Sequence, residues 1–249
     1  MRLCKTLLLC VKCSVNFTHR SYQQELLDRD DIPFADIRQN MRELNIINTW
    51  LGGHGITLNG FQQLLQKRSS ITVCEIGCGG GDNLAAIAKW CAKKNITIRL
   101  VGIDINKDCI AVAQTTLQPF NAQLIVSDFR DVHFDGHAPD IIFSSLFCHH
   151  FTEEALLHML QWMRNNATAG SFINDLHRHP LAYHSIKLLT GLFSKSYLVK
   201  NDAPLSVQRG FIKKEWQQLL QQAAITQYNL QWKWAFRWLL VIPSTNEPV

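Results

Sequence analysis

Residues Val73 to Asp82 read VCEIGCGGGD, and this stretch decides the fold class. A short apolar strand is followed by three alternate glycines, Gly77, Gly79 and Gly81, and the aspartate opens an amphipathic run. Glycines let the backbone pass close to a ligand at the carboxyl edge of a parallel sheet, which is where open α/β folds hold nucleotides. The stretch therefore predicts an α/β fold, Rossmann-like, with a nucleotide-type ligand at this turn.

The spacing of the glycines separates two classes of ligand. The dinucleotide fingerprint G-x-G-x-x-G, counted from Gly77, needs its third glycine at the position that Asp82 occupies. The observed spacing instead sets Glu75 two residues before the first of three alternate glycines. This pattern disfavours a nicotinamide oxidoreductase, which stays as a third-ranked alternative.

Two further strands end near acidic residues. The run Ile98–Ile105 carries Asp104 near its end, and Ala122–Val126 is followed closely by Asp128. A carboxylate at a strand tip accepts hydrogen bonds from the ribose hydroxyls of a nucleotide. The interval between Glu75 and Asp104 fits one βαβ unit. The sequence thus predicts three acids in register along one sheet edge.

These motifs together resemble class I S-adenosylmethionine-dependent methyltransferases. The resemblance implies a seven-stranded, mostly parallel sheet with helices on both faces, a C-terminal antiparallel hairpin and an N-terminal helical cap. It also implies S-adenosylmethionine as cofactor, with Asp128 contacting the adenine amino group. The residues expected to bind the cofactor are Glu75, Gly77, Gly79, Gly81, Asp104, Ile105, Asp128, Phe129 and Ser145.

Composition and helical periodicity predict the domain organisation. Residues 1–24 are basic, with no acid before Glu25, and are expected to form a poorly ordered leader; residues 25–69 are expected to form the cap. Within the cap, an apolar stripe predicts a helix from Asp36 to Leu51 and a second helix from Leu58 to Gln66 with Thr57 as its N-cap. The core should span 70–249, with a substrate-lid insertion at about 179–212.

Patterning places the remaining elements. The predicted strands are Asp140–Ser145, Gly170–Asp175 and a terminal hairpin with its turn near Lys233–Ala235; the predicted helices are Asp82–Lys94, a helix capped by Thr152 that runs to about Asn165, Pro180–Phe193 and Lys213–Ala223. The stretch that follows Phe193 and runs through Ala203-Pro204-Leu205 to Gly210 is expected to be irregular.

The fourth strand leads into a pair of histidines, His149 and His150, at the proposed cofactor edge. A phenol with a pKa near ~10 is mostly protonated at neutral pH, and a neutral imidazole beside it can accept that proton. Both histidines are therefore candidate catalytic residues, with helix capping or space filling as the alternative. His54, His177 and Arg178 are candidates for substrate binding, although the last two could equally pair within the protein.

Composition limits the kinds of partner that are expected. Apolar residues make up 47% of the 249, enough for a sizeable core, and a net charge of +5 without a basic stripe does not indicate nucleic acid binding. Among eight cysteines, the Cys10-x-x-Cys13 pair lacks a second ligand pair, so no metal site is expected. The apolar run Thr6–Val11 is too short for a membrane span. We expect a cytoplasmic protein; its oligomeric state does not follow from the sequence.

Three shorter segments refine the resemblance. The segments CHHF (148–151), NDLHRHP (174–180) and LGGH (51–54) look like those of bacterial small-molecule methyltransferases of polyketide- and quinone-type aromatic products in secondary metabolism. The leading hypothesis is methyl transfer to a phenolic oxygen of a small aromatic substrate. The alternatives are carbon methylation of a quinol or resorcinol ring and a non-catalytic module that only binds the cofactor.

Overall fold

Seven strands form one twisted sheet in the computed structural model, which describes residues 15–29, 31–134 and 136–244. The strands are β1 Ser70–Ile76, β2 Thr97–Asp104, β3 Gln123–Val126, β4 Ile141–Ser145, β5 Gly170–Leu176, β6 Asn229–Lys233 and β7 Arg237–Pro243. Their order is β3-β2-β1-β4-β5-β7-β6; the first five strands run parallel, and β7 is antiparallel to both of its neighbours. This is the predicted class I methyltransferase sheet, and the fold prediction is confirmed.

The described part of the chain contains eight α-helices around this sheet. They are α1 Phe34–Trp50, α2 Gly53–Leu65, α3 Asp82–Lys93, α4 Lys107–Leu117, α5 Glu153–Asn166, α6 Pro180–Phe193, α7 Tyr197–Arg209 and α8 Lys213–Gln222. One apolar core lies between the sheet and α2, α3 and α4, and a second lies between the sheet and α5 and α8. The strand order reverses between β1 and β4, the point where open α/β sheets bind ligands.

Helix α2 begins five residues earlier than the sequence predicts. Gly52 adopts the left-handed conformation (φ +75°) and joins α1 to α2 directly, so the expected N-cap, Thr57, lies inside the helix. A Cβ added to Gly60 would lie 2.6 Å from the ring of Phe172, so α2 can approach β5 this closely only with glycine there. The cap therefore packs directly onto the sheet.

The segment predicted to be irregular around Pro204 is helix α7, which is a correction. Proline inside a helix removes one backbone hydrogen bond, so a helix that contains Pro204 is unfavourable on local grounds. Tertiary contacts outweigh that cost: Asp202 accepts the backbone N–H groups of Leu26 and Leu27, and Ser206 Oγ donates to Glu25 Oε1 at 2.8 Å. Helix α7 is thus held by the segment that precedes α1.

Residues 15–24 pack against the core, unlike the poorly ordered leader expected from the sequence. Arg20 is 7% exposed, and its guanidinium donates to the carbonyls of Arg209, His149 and Phe151. The remaining leader residues, with the Cys10 and Cys13 pair, lie outside the described residues. Across the described ranges, none of the helices is both long enough and apolar enough to cross a bilayer.

Candidate functional site

A cavity of about 1080 Å³ opens at the carboxyl ends of the parallel strands. Residues of α1 and of the segment before it line one side, and residues of α6, α7 and the β6–β7 hairpin line the other. Ten of the sequence-predicted site residues line this cavity: Glu75, Gly77, Gly79, Asp104, Ile105, Asp128, Phe129, Ser145, His149 and His150. The sheet edge thus brings together most of the expected site.

The glycine turn after β1 is shaped by close contacts. The backbone N–H of Gly77 donates to the carbonyl of Ile103 at 2.8 Å, and a Cβ at this position, where φ is +66°, would lie 2.4 Å from the Phe147 ring. Gly81 has another role and is not among the cavity-lining residues: it is the N-cap of α3, and a Cβ there would meet Leu117 at 2.8 Å. Its predicted place in the cofactor site is therefore replaced by a packing role.

Asp104 ties the glycine turn to the second strand. Its Oδ2 accepts the N–H of Gly79 at 2.9 Å, and its Oδ1 accepts the N–H of Asn106 at 2.9 Å. Each carboxylate oxygen keeps a lone pair for a further donor. Burial raises the pKa of this carboxyl group despite both hydrogen bonds. A ligand donating hydroxyl protons here would therefore stabilise the charged form.

Glu75 presents an unpaired oxygen in the cavity wall. The residue is 1% exposed; its Oε1 accepts from Asn83 Nδ2 at 3.0 Å, the backbone N–H of Leu84 also interacts with the carboxylate, and Oε2 makes no hydrogen bond of ordinary geometry among the described residues. Burial raises its pKa well above the usual range, with further contributions from the charges of Asp82 and Asp104. Burial also raises the pKa of Asp82 to about 6. Three crowded acids of this kind favour a cationic ligand that donates hydrogen bonds.

Asp128 lines the cavity, but its carboxylate is engaged locally. Oδ1 accepts both the backbone N–H and the Nε–H of Arg130 at 2.9 Å, and the hydrogen bond from that guanidinium lowers the pKa of Asp128. Phe129 is buried against the rings of Phe151 and Trp162. An adenine contact by Asp128 would have to share the carboxylate with Arg130.

His149 forms a buried dyad with Asp175. The histidine is 3% exposed, and its Nδ1 lies 2.8 Å from Asp175 Oδ1. Burial alone would raise the pKa of Asp175, yet the charge of His149 and its hydrogen bond outweigh burial and lower it. If Nδ1 carries the proton that Asp175 accepts, Nε2 is left as a proton acceptor. This is the geometry of an oriented general base.

Two acids from the segment before α1 complete this cluster. Glu25 lies 3.6 Å from His149 Nε2 and 3.8 Å from His150 Nε2, and Asp28 Oδ1 lies 3.3 Å from His150 Nδ1. Burial raises the pKa of Glu25, which is 4% exposed. The sequence analysis missed both acids, because no local motif marks them and only the tertiary fold brings them to the histidines.

Glu25, His149 and His150 also place potential metal-ligand atoms within 4.8 Å of one another. Two observations weigh against metal binding at this cluster. The imidazole planes lie only 34° from parallel with centroids 4.5 Å apart, whereas a bound ion must lie near the plane of each ligating ring. Arg209 Nε, moreover, lies 3.9 Å from Glu25 Oε1, so a fixed cation already neighbours the carboxylate.

The three residues predicted to bind substrate are not among the cavity-lining residues. His54 bonds to the side chains of Asn45 and Asn83, both at 2.9 Å, and His177 Nδ1 accepts from Trp232 Nε1 at 3.1 Å. Burial lowers the pKa of both imidazoles, that of His177 to about 4. The structure thus engages both histidines within the protein.

Arg178 is likewise a structural residue. It is 2% exposed and donates to both carboxylate oxygens of Glu215, at 2.7 and 3.0 Å, and to the carbonyls of Phe17, Thr18 and Gly210. The sequence placed this side chain at the correct sheet edge. Its partners come from chain segments whose proximity no local pattern reveals.

Comparisons with known proteins agree with this geometry. Residues 73–170 match the family model described as "Methyltransferase domain". No curated protein matches the chain. The matched segment includes Gly77, Asp104 and Asp128.

Solved structures share the fold. The plantazolicin methyltransferase BpumL in complex with SAH is 18% identical, covers 87% of this chain and 91% of its own, and has a TM-score of 0.61. A SAM-dependent methyltransferase from Aquifex aeolicus is 15% identical over 75% of this chain and 88% of its own, with a TM-score of 0.54. Magnesium protoporphyrin IX methyltransferase from Synechocystis PCC 6803 with bound SAH is 15% identical over 87% and 90%, with a TM-score of 0.50. At these identities the likeness is one of fold.

Proposed function

We propose that this chain, a class I S-adenosylmethionine-dependent methyltransferase, moves the methyl group to a phenolic oxygen of a small aromatic acceptor of the polyketide or quinone type. The observation that carries the proposal is the His149–Asp175 dyad, which lies in the same cavity as the Gly77–Asp104 turn. The narrower sequence resemblance supports the acceptor class and a role in secondary metabolism. The proposal therefore joins the enzyme class that the matched domain and the motifs support to an inferred acceptor.

The cavity residues fit the cofactor. When bound, S-adenosylmethionine supplies an electrophilic methyl group on a positively charged sulfur. The unpaired Oε2 of Glu75 suits an ammonium donor, and the Asp104 carboxylate can accept ribose hydroxyls in addition to its two backbone donors. The elevated pKa values of Glu75, Asp82 and Asp104 mean that a cation in this end of the cavity would relieve their unfavourable burial.

His149 is proposed to accept the proton of the acceptor hydroxyl at Nε2. Asp175, held on β5 and fully buried, keeps the imidazole oriented and stabilises its charged form after proton transfer. His150 is more exposed and is proposed to position the acceptor beside the Phe147 ring, whose centroid lies 6.0 Å from its own. General base catalysis contributes ~10²- to 10⁴-fold to a rate, and removal of the dyad should cost a comparable factor.

Apolar side chains form the rest of the acceptor side. Phe147, Ile186, Leu189 and Trp234 line the cavity there, contributed by the loop after β4, by α6 and by the hairpin turn. Such walls suit the faces of an aromatic ring and exclude water from the reacting atoms. Methyl transfer relies mainly on positioning of this kind, since the leaving sulfur needs no proton from the protein.

The proposal is tested by mass spectrometry of a panel of phenols, quinols and resorcinols incubated with methyl-labelled cofactor. At least one phenol should gain one labelled methyl on oxygen. His149→Gln and Asp175→Asn should each lower the rate ~100-fold or more with cofactor affinity retained, whereas His150→Gln should act mainly on KM for the acceptor.

Three results would count against the proposal. Labelled carbon methyl groups in the products would favour the quinol or resorcinol alternative. Tight cofactor binding without turnover across the panel would favour a module that only binds. Near-normal rates in both His149→Gln and His150→Gln would reject the histidine base, and positioning of the acceptor would then account for the rate.

A further inference from the structure

Arg237 is a buried cation in the wall of the acceptor side, and it has no hydrogen-bond or ion-pair partner among the described residues. It begins β7 opposite Leu176 of β5, is 3% exposed and lines the cavity. Among the described residues, its guanidinium makes no hydrogen bond or ion pair, and its Nε and Nη1 atoms are fully buried and unpaired. An unpaired buried charge is costly, so a residue of this kind calls for an explanation.

Three other buried arginines have several hydrogen-bond partners each, in contrast to Arg237. Arg20, Arg178 and Arg209 each donate to at least three acceptors, most of them backbone carbonyls. These three side chains serve the fold. Arg237 donates no comparable hydrogen bonds within the described part of the chain.

Nearby protein acids do not satisfy this guanidinium. Asp175 exerts an electrostatic attraction on Arg237, but its carboxylate already accepts from His149 Nδ1 and from the backbone N–H of His149 and Leu176. Burial lowers the pKa of Arg237 only to about 10, so the side chain is charged at neutral pH. The cavity therefore holds a fixed positive charge with free N–H donors.

The strand that carries Arg237 is separated from the strand that leads into the glycine turn. Strand β7 lies three positions from β1 in the sheet, which corresponds to about 14 Å. Asp175, the partner of the proposed base, lies on β5, directly beside β7. His149 and Arg237 line the same cavity, so an acceptor whose hydroxyl reaches His149 can extend toward Arg237.

We propose that Arg237 binds a carboxylate of the acceptor, so that the preferred acceptors are phenolic acids and not neutral phenols. The planar guanidinium fork matches a carboxylate in two parallel hydrogen bonds. This inference rests on the proposed function for the identity of the acceptor, but the anion-binding role of Arg237 can be measured without turnover.

The experiment is calorimetric titration of the S-adenosylhomocysteine complex with benzoate and with its neutral analogue benzamide. The wild-type complex should bind benzoate more tightly than benzamide. Arg237→Gln should weaken benzoate binding ~10- to 100-fold and leave benzamide unchanged, while Arg237→Lys should retain part of the affinity. Arg99→Gln, which removes an exposed arginine on β2, is the matched control and should change neither.

Far-ultraviolet circular dichroism of each variant establishes that it is folded, and its affinity for S-adenosylhomocysteine is then measured. A parallel loss of this affinity in Arg237→Gln would assign the guanidinium to the cofactor's own carboxylate and overturn the proposal. Equal benzoate binding by wild type and Arg237→Gln, or no benzoate binding by wild type, would also overturn it. Selective benzoate binding without methylation of any phenol, acidic or neutral, would instead reject the proposed function and leave the anion site standing.

Discussion

At the residue scale, the cofactor end of the cavity is defined by carboxyl groups whose burial disfavours their charge. Asp82 opens α3 and lines this end, and burial raises its pKa to about 6. A carboxyl group whose pKa is higher in the folded state than in the unfolded state destabilises the folded state at pH values where the unfolded state is ionised. The apo protein therefore carries a stability penalty at this residue.

Asp82→Asn should remove the penalty. Below about pH 4 both states hold the proton and the penalty is absent; it grows up to about pH 6, the folded-state pKa, and is complete above it. At pH 7 the variant should be about 1–2 kcal/mol more stable, after allowance for the lost helix-dipole interaction. Thermal unfolding of both proteins from pH 4 to 8 checks this. A stability difference that does not change with pH would contradict the assigned cause.

Asp104 is the residue whose loss should most directly affect cofactor binding. Asp104→Asn removes the charge that can accept the ribose hydroxyls, and a lost charged hydrogen bond costs about 1.5–3 kcal/mol, or ~10- to 150-fold in affinity. Calorimetry with S-adenosylhomocysteine measures the change. Asp131→Asn, an exposed aspartate outside the cavity lining, is the control. Unchanged affinity in Asp104→Asn would reject the ribose role.

The success of sequence reasoning at this scale follows from local structure. Gly77 and Asp104 could be placed because a glycine turn and a strand tip are fixed by neighbouring residues. Glu25 and Arg237 could not, since each reaches the cavity from a distant part of the chain. The pairing of Arg178 with Glu215 could not be predicted, because an arginine at a strand end looks the same whether it faces a ligand or a partly buried glutamate.

At the element scale, Arg178 couples three parts of the chain. It follows β5 and joins that strand end to α8 through Glu215, and to the N-terminal segment through the carbonyls of Phe17 and Thr18. Arg178→Ala should lower the free energy of unfolding by about 3–5 kcal/mol, because a partly buried carboxylate and several carbonyls lose their donor. Denaturant unfolding measures this change.

The same variant distinguishes structure from substrate binding. Folded Arg178→Ala, studied at low temperature, should retain the cofactor affinity and acceptor KM of the wild type. Arg164→Ala, at an exposed position on α5, should leave stability within about 0.5 kcal/mol. Normal stability with a raised acceptor KM would restore the substrate-binding role that the sequence analysis assigned to Arg178.

Elements that carry their own pattern were predictable, and those shaped by neighbours were not. The β1 and β4 runs are buried on both faces and stand out as apolar segments. Helix α7 was missed because Pro204 is a local sign of irregular structure, while its stabilising contacts to Glu25 and Leu26 are tertiary. Helix α2 was predicted too short because Gly52 turns the chain without ending helical structure.

At the scale of the whole molecule, the predicted fold is confirmed by the solved structures, and residues 73–170 match the family model described as "Methyltransferase domain". The predicted division into a helical cap and a core raises a separate question, which is whether the two parts unfold together. Helix α2 of the cap contributes Ile56, Phe61, Leu64 and Leu65 to the same apolar core as Ile71 of β1 and Phe172 of β5. A cap that shares its core with the sheet should unfold together with it.

Phe61→Ala tests this shared core. Phe61 is fully buried and packs edge-to-face on Trp90 of α3, with ring centroids 5.8 Å apart, so its truncation should cost about 3–5 kcal/mol. Because the cavity would form in a core common to α2 and the sheet, the whole protein should unfold earlier in one transition, with tryptophan fluorescence and far-ultraviolet circular dichroism coinciding. Phe34→Ala, at a 44% exposed position on α1, should leave the midpoint nearly unchanged. If Phe61→Ala instead produced an early transition of the cap followed by a wild-type transition of the sheet, residues 25–69 would be an independent folding unit.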